Sequence, residues 1–211
     1  MRVEAPIGAN RRKAVWGARA ALSGALAGAL LVTSCGKLTR QGQAASYLVL
    51  LTLQGASGAK PGTFSNVLQS DVITVVNGVP TIFNDLGQAT FRLALKDAGS
   101  STSPNTPTPN NFITVTQYHV EYVRSDGRNV QGVDVPFAFD GAATATVTDT
   151  ASIGFTLVRN QAKLEAPLKA LVTSGLPITA IARVTFYGHD QTGREVSVTG
   201  DIEITFANFG D

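Results

Sequence analysis

Apolar residues in this chain recur at every second position over short runs, and Gly, Asn, Asp and Pro separate the runs. A period of two marks strands with one buried face. Strands are expected at residues 47–53, 66–76, 79–83, 89–95, 112–124, 133–139, 143–147, 153–158, 178–187 and 195–206. The clearest is 112–124, which carries Val115, Tyr118, Val120 and Tyr122; the last alternates Val196, Val198, Ile202, Ile204 and Phe206, its parity holding through Gly200. Asn77-Gly78 predicts a tight hairpin turn, because both positions tolerate positive φ. Pro80 confines 79–83 to an edge or a bend, and Pro136 interrupts 133–139. Further turns are expected at 125–129, 140–141 and 189–194. Residues 97–111 hold three prolines and no large apolar side chain, and read as a long surface loop. One helical stretch, 161–171, places Leu164, Leu168 and Leu171 on one face, with Pro167 set to break it.

With the proline-interrupted segments discounted, about eight or nine short strands with turns between them predict an all-β fold, an antiparallel β-sandwich. A small β-barrel is the alternative. The size and the closing hairpin resemble an immunoglobulin-like or fibronectin-like domain. The resemblance is architectural: there is no Cys…Trp…Cys pattern, and the sole Trp16 precedes the first strand. No internal repeat of fixed period is present.

The first 34 residues have a different texture. Arg11-Arg12-Lys13 forms a basic cluster, and after Arg19 comes an apolar run over 20–32 built of Ala, Leu, Gly and Val with one Ser. That run has the length of a signal-peptide core and is too short to span a hydrocarbon layer of about 30 Å comfortably. It ends in Val32-Thr33-Ser34-Cys35, which resembles the lipobox of bacterial lipoproteins: a branched apolar residue, two small residues, then cysteine. The resemblance covers residues 11–36. It implies cleavage before Cys35 and a thioether-linked diacylglycerol on its sulfur. One acyl chain binds a membrane only marginally, whereas two or three hold it stably. An ordinary secretory signal with a bare thiol at Cys35 is the competing interpretation. Gly36, rather than an aspartate, favours an outer membrane where the cell has one. Arg11-Arg12 lacks the flanking pattern of a twin-arginine signal, which favours the general secretion route. The expected organisation is therefore a removed signal peptide at 1–34, a lipidated flexible tether at 35–45 and one domain at 46–211.

Charge follows the same division. The whole chain carries +2, but residues 35–211 hold 12 basic against 14 acidic side chains. A slightly acidic domain exerts no general pull on nucleic acid. Cys35 is the sole cysteine, so no internal disulfide forms, and as a thioether it would offer no thiolate nucleophile. His119 and His189, well apart in sequence, fall short of a closed zinc set. Gly55-Ala56-Ser57-Gly58 has the wrong spacing for a nucleophile elbow, and no phosphate-binding or dinucleotide fingerprint occurs. Asp126, Asp134 and Asp140 in neighbouring turns, and Asp190 and Asp201 near the last hairpin, lack the dense spacing of a calcium loop and read as turn formers.

These observations lead to the expectation of an envelope lipoprotein, not an enzyme, with no cofactor and no metal. The domain acts as a protein-interaction or structural module. Its partners would be the membrane, through lipid on Cys35, and an envelope protein; nucleic acid is not expected. Residues 97–111, 125–132 and 188–194 are the candidate contact loops. A lipoprotein that binds a sugar, a lipid or a metal is the alternative, and an enzyme whose site leaves no local signal is a third.

Overall fold

The computed structural model describes residues 43–210. In chain order the strands are β1 (Ser46–Ala56), β2 (Val67–Asp71), β3 (Thr74–Val76), β4 (Val79–Thr81), β5 (Asp85–Leu95), β6 (Gly99–Ser100), β7 (Ser103–Pro104), β8 (Ile113–Val123), β9 (Phe139–Val147), β10 (Thr150–Val158), β11 (Ile178–Asp190) and β12 (Glu195–Ala207). A short helix α1 (Asn160–Leu164) and a 3-10 turn (Leu168–Val172) lie between β10 and β11. Eight strands build two sheets, one ordered β1-β5-β10 and the other β2-β12-β11-β8-β9. The hairpins β3-β4 and β6-β7 stand apart from both. With β5 and β8 in opposite sheets, and β9 and β10 likewise, the chain crosses between the two sheets. The fold is thus an all-β sandwich, and among the described residues no ladder joins the sheets into a closed barrel.

Alternation explains the core. On β8, Tyr118, Val120 and Tyr122 are buried, and on β12 so are Val196, Ile202, Ile204 and Phe206. Phe91 of β5 meets Phe186 of β11 edge-on at 4.9 Å between ring centroids, and Phe155 of β10 meets the same ring at 5.3 Å. Tyr118 adds a fourth ring, 5.1 Å from Phe155. Both β8 tyrosines also reach across the sandwich to β10. The Tyr122 hydroxyl donates to the Leu157 carbonyl at 2.8 Å, and the Thr156 amide donates to the Tyr118 hydroxyl at 3.3 Å. Burial, reinforced by the Asp85 carboxylate, pushes the Tyr122 hydroxyl well above its ordinary pKa, so it remains a donor.

Several expected elements change. Residues 133–138 form no strand. The Val130 carbonyl accepts the amides of Val133, Asp134 and Val135, which curls the chain before Pro136. Strand β9 begins at Phe139 and runs straight through 140–141, where a turn is expected. Gly141 lies flat under the Tyr118 ring, in space that a Cβ would occupy. The reversal falls instead at Thr148-Asp149, where the Leu93 amide donates to the Asp149 carbonyl at 2.8 Å. The single strand expected at 66–76 is broken after Asp71, whose carboxylate accepts from the Ile73 amide and the Thr74 hydroxyl. Beyond that break the Asn77-Gly78 turn forms as its sequence predicts, with φ of 51° and 79°. The stretch 161–171 divides into α1 and the 3-10 turn, with a cis bond at Pro167 between them. The loop 97–111 contains the small β6-β7 hairpin and a 3-10 turn at Pro109–Asn111. One sheet pairing departs from the antiparallel expectation: β2 runs parallel to β12, from Val67 beside Glu203 to Asp71 beside Ala207.

The aromatic contacts lead to a graded prediction. Phe186→Ala removes the ring shared by two partners and should cost about 3–5 kcal/mol of unfolding free energy. Tyr122→Phe, which only orphans the Leu157 carbonyl, should cost about 1–3 kcal/mol. Urea denaturation of the two variants measures the difference.

Candidate functional site

Cys35 and the lipobox residues Val32, Thr33 and Ser34 lie outside the described residues. The remaining chemistry-bearing side chains do not converge. His119 sits on the outer face of β8, with Nδ1 2.8 Å from Asp140 Oδ1 on β9. His189 Nδ1 meets the main-chain carbonyl of Asp190, not its carboxylate. The aspartates serve their own loops. Asp126 is gripped by Arg124 at 2.6 Å and by Arg128 at 2.8 Å, and those hydrogen bonds, Arg124 first, hold its carboxyl far below the usual carboxylate range. Asp134 Oδ2 accepts the Val130 amide. Asp201 pairs with Arg183, which also reaches Glu121 at 3.5 Å; such exposed pairs contribute little. Asp190 Oδ1 accepts the Thr192 amide and hydroxyl and the Arg194 amide, closing the last hairpin. Among the described residues no three His, Cys, Asp or Glu side chains group as a metal site would, and no helix is long and apolar enough to cross a membrane.

The most constrained polar group lies where sequence reasoning gave no signal. Asp85, the first residue of β5, is fully buried, and so is Lys163 of α1. Lys163 Nζ stands 2.9 Å from both Asp85 oxygens. The Ser70 hydroxyl of β2 donates to Oδ2 at 2.6 Å, and the Gly58 amide donates to Oδ1 at 2.9 Å. Burial is the largest influence and leaves the Asp85 carboxyl above its ordinary value, against the downward pull of Lys163, Ser70 and Gly58. One carboxylate therefore ties four segments together: the loop after β1, β2, the start of β5, and α1.

Strand register shows what these segments form. Ser46 pairs with Leu95, Ile113 with Val147, and Asp190 with Ile113, so the Ser46 end of the sandwich carries loop 96–112 and the turns at 148–149 and 191–194. The opposite end carries loop 57–66, the β3-β4 hairpin, loop 124–138, the α1 segment and the tail after β12. That end exposes many large apolar side chains beside its charged ones. Among the described residues, nine of the fifteen exposed large apolar side chains lie there: Val75, Val76 and Val79 on the hairpin, Val130, Val133 and Phe137 on loop 124–138, and Leu164, Leu176 and Phe209. Residues 72–84 contain no charged side chain. Solvated loops are ordinarily polar, and grouped exposed apolar residues mark interaction surfaces. Of the three expected contact loops, only 125–132 falls at this end; 97–111 and 188–194 fall at the other.

The same end holds a cleft of about 400 Å³. Val67, Leu68, Gln69 and Asp71 of β2 line it, with Ser57, Lys60 and Thr63 of the preceding loop, and Phe209. The arrangement defines the class of the protein no further than an all-β sandwich with one apolar, clefted end. No protein-family model matches the chain, and no curated protein matches its sequence.

Two measurements follow. Lys163→Met leaves a carboxylate buried without its cation and should cost about 3–5 kcal/mol, whereas Lys163→Met combined with Asp85→Leu should recover part of that loss. Recovery stays partial because Ser70 and Gly58 lose their acceptor; chemical denaturation reads both values. The second concerns pH. Desolvation raises the Asp190 carboxyl, and the bonds from Thr192 and Arg194 outweigh it, leaving its folded pKa below the usual 3.8. A depressed carboxyl stabilises above its unfolded pKa and loses that contribution as pH falls through the folded value. The melting-temperature gap between wild type and Asp190→Asn should therefore be constant at neutral pH and shrink below about pH 4.

Proposed function

We propose that the protein is a lipid-anchored envelope protein whose sandwich is a non-enzymatic interaction module, docking a partner protein through its apolar end. The observation that carries the reading is the concentration of exposed apolar side chains on three separate loops and the tail at that one end. Charge at that end is mixed rather than strongly basic: Lys163 is buried against Asp85, and Arg124 and Arg128 share the Asp126 carboxylate.

The anchor rests on residues 11–36: the basic cluster, the apolar run and Val32-Thr33-Ser34-Cys35. Residues 36–45 would join the domain at its Ser46 end, the end away from the apolar loops. Gly36 favours an outer membrane in a cell that has one.

Anchor and docking are separable by experiment. Cys35→Ser should release the chain from the membrane fraction and abolish incorporation of labelled palmitate. If the variant stays membrane-bound with the same label, the anchor is wrong. For docking, Val79→Ser with Val130→Ser and Val133→Ser should leave the melting temperature nearly unchanged, because these side chains are exposed. The triple variant should lose a partner that chemical crosslinking captures on intact cells expressing the wild type. An identical crosslink pattern for the two would exclude the apolar end.

A further inference from the structure

We infer that the cleft beside β2 is a strand-addition site, which takes an extended peptide segment of a partner protein onto the open edge of β2. The inference rests on the binding-module reading but on a different observation, the direction of the β2 main chain.

Among the described residues β2 is the last strand of its sheet, with β12 on one side only. The Val72 amide, just beyond β2, donates to the Ala207 carbonyl at 2.9 Å. Main-chain groups of successive strand residues point to opposite edges, so those of Leu68 and Ser70 share the direction of Val72 and face β12. Those of Val67, Gln69 and Asp71 then face away from it. The Val67 amide agrees, since it turns to Ser65 Oγ rather than to β12. All three residues line the cleft, together with the intervening Leu68. A cleft floored by an unpaired strand edge offers donors and acceptors at the repeat of an extended chain, and strand addition meets both kinds at once.

The local fold keeps this edge open. Immediately before β2, Gly55 and Ser65 exchange two main-chain hydrogen bonds, at 2.8 and 2.9 Å. The rest of β1 then pairs with β5 in the other sheet and cannot cover β2. Loop 57–63 is held off as the facing wall, because Gly58 is tied to Asp85. The cleft is close to neutral, with Lys60 and Asp71 among its lining residues, and Asp71 is already engaged by Thr74 and by the Phe209 amide. Neutrality favours an uncharged backbone over a phosphate or an acidic sugar. β2 has five residues, so a segment of about five residues would fill the edge.

The test uses the full chain in detergent and a random-peptide phage library. Enriched peptides should bind the wild type and lose about tenfold or more in affinity with Gln69→Pro, which removes the amide and blocks the edge. Thr63→Arg, which fills the cleft from the loop side without touching the sheet, should lose binding similarly and keeps the test valid if the proline variant unfolds. On peptide addition, the Gln69 and Asp71 amides should gain protection from hydrogen exchange. The triple variant Val79→Ser, Val130→Ser, Val133→Ser should bind these peptides like wild type. If the triple variant loses binding while Thr63→Arg retains it, strand addition is overturned and docking through the apolar loops stands. Failure to enrich any peptide overturns it as well. So does a dimer that Thr63→Arg dissolves, because a second copy would then be the occupant.

Discussion

A single carboxylate sets the geometry of the end that carries the proposed function. Asp85 has no water to solvate it, so it must be met by protein groups, and it is met by Lys163, Ser70 and Gly58. Each lies on a different segment. Removing any one leaves a buried polar group unpaired, which costs far more than an exposed pair contributes. The loop after β1, the edge strand β2, the first residue of β5 and the helix α1 are therefore held in one arrangement. A hydrophobic contact could glue the same segments together, but a hydrogen-bonded charge also fixes their direction. The cleft beside β2 is defined by two of the elements this carboxylate holds, and it stays open for that reason.

The remainder of the molecule is a packed scaffold that delivers this end. Four rings, Phe91, Phe155, Phe186 and Tyr118, interlock between the sheets, and the two β8 tyrosines add hydrogen bonds across the gap. The outer face of the larger sheet is polar and laced with exposed pairs such as His119 with Asp140. Polarity there and apolarity at one end make a sharp contrast on a small body.

The strands were legible wherever one face is buried and the other wet. Residues 112–124 and 195–206 show it most clearly: their alternation matches the observed burial almost residue for residue. Legibility failed where a tertiary contact decides the conformation. Gly141 resembles a turn residue, yet it belongs to a strand because Tyr118 lies over it. Val133, Val135 and Phe137 alternate as a strand would, yet three amides gathered on the Val130 carbonyl curl that segment. The pairing of Asp85 with Lys163 spans 78 residues, and no local pattern encodes it. The apolar end was only partly visible. Val75, Val76 and Val79 read as strand interior, and their exposure follows from the hairpin standing outside both sheets. The lipobox residues lie outside the described structure, so that reading still rests on sequence.

The parallel pairing of β2 with β12 bears on how the domain is made. Val67 lies beside Glu203, so β2 must wait for a strand synthesised much later before it can pair. Closing so large a loop is slow, and such topologies fold late. A chain threaded through a translocation channel from its N-terminus would thus emerge with its future edge strand unpaired and its apolar hairpin bare. The edge of the larger sheet could be completed only once β12 had emerged. Assistance by a holding factor outside the channel would matter most during that interval, and a truncation that removes only the last strand should trap the protein there.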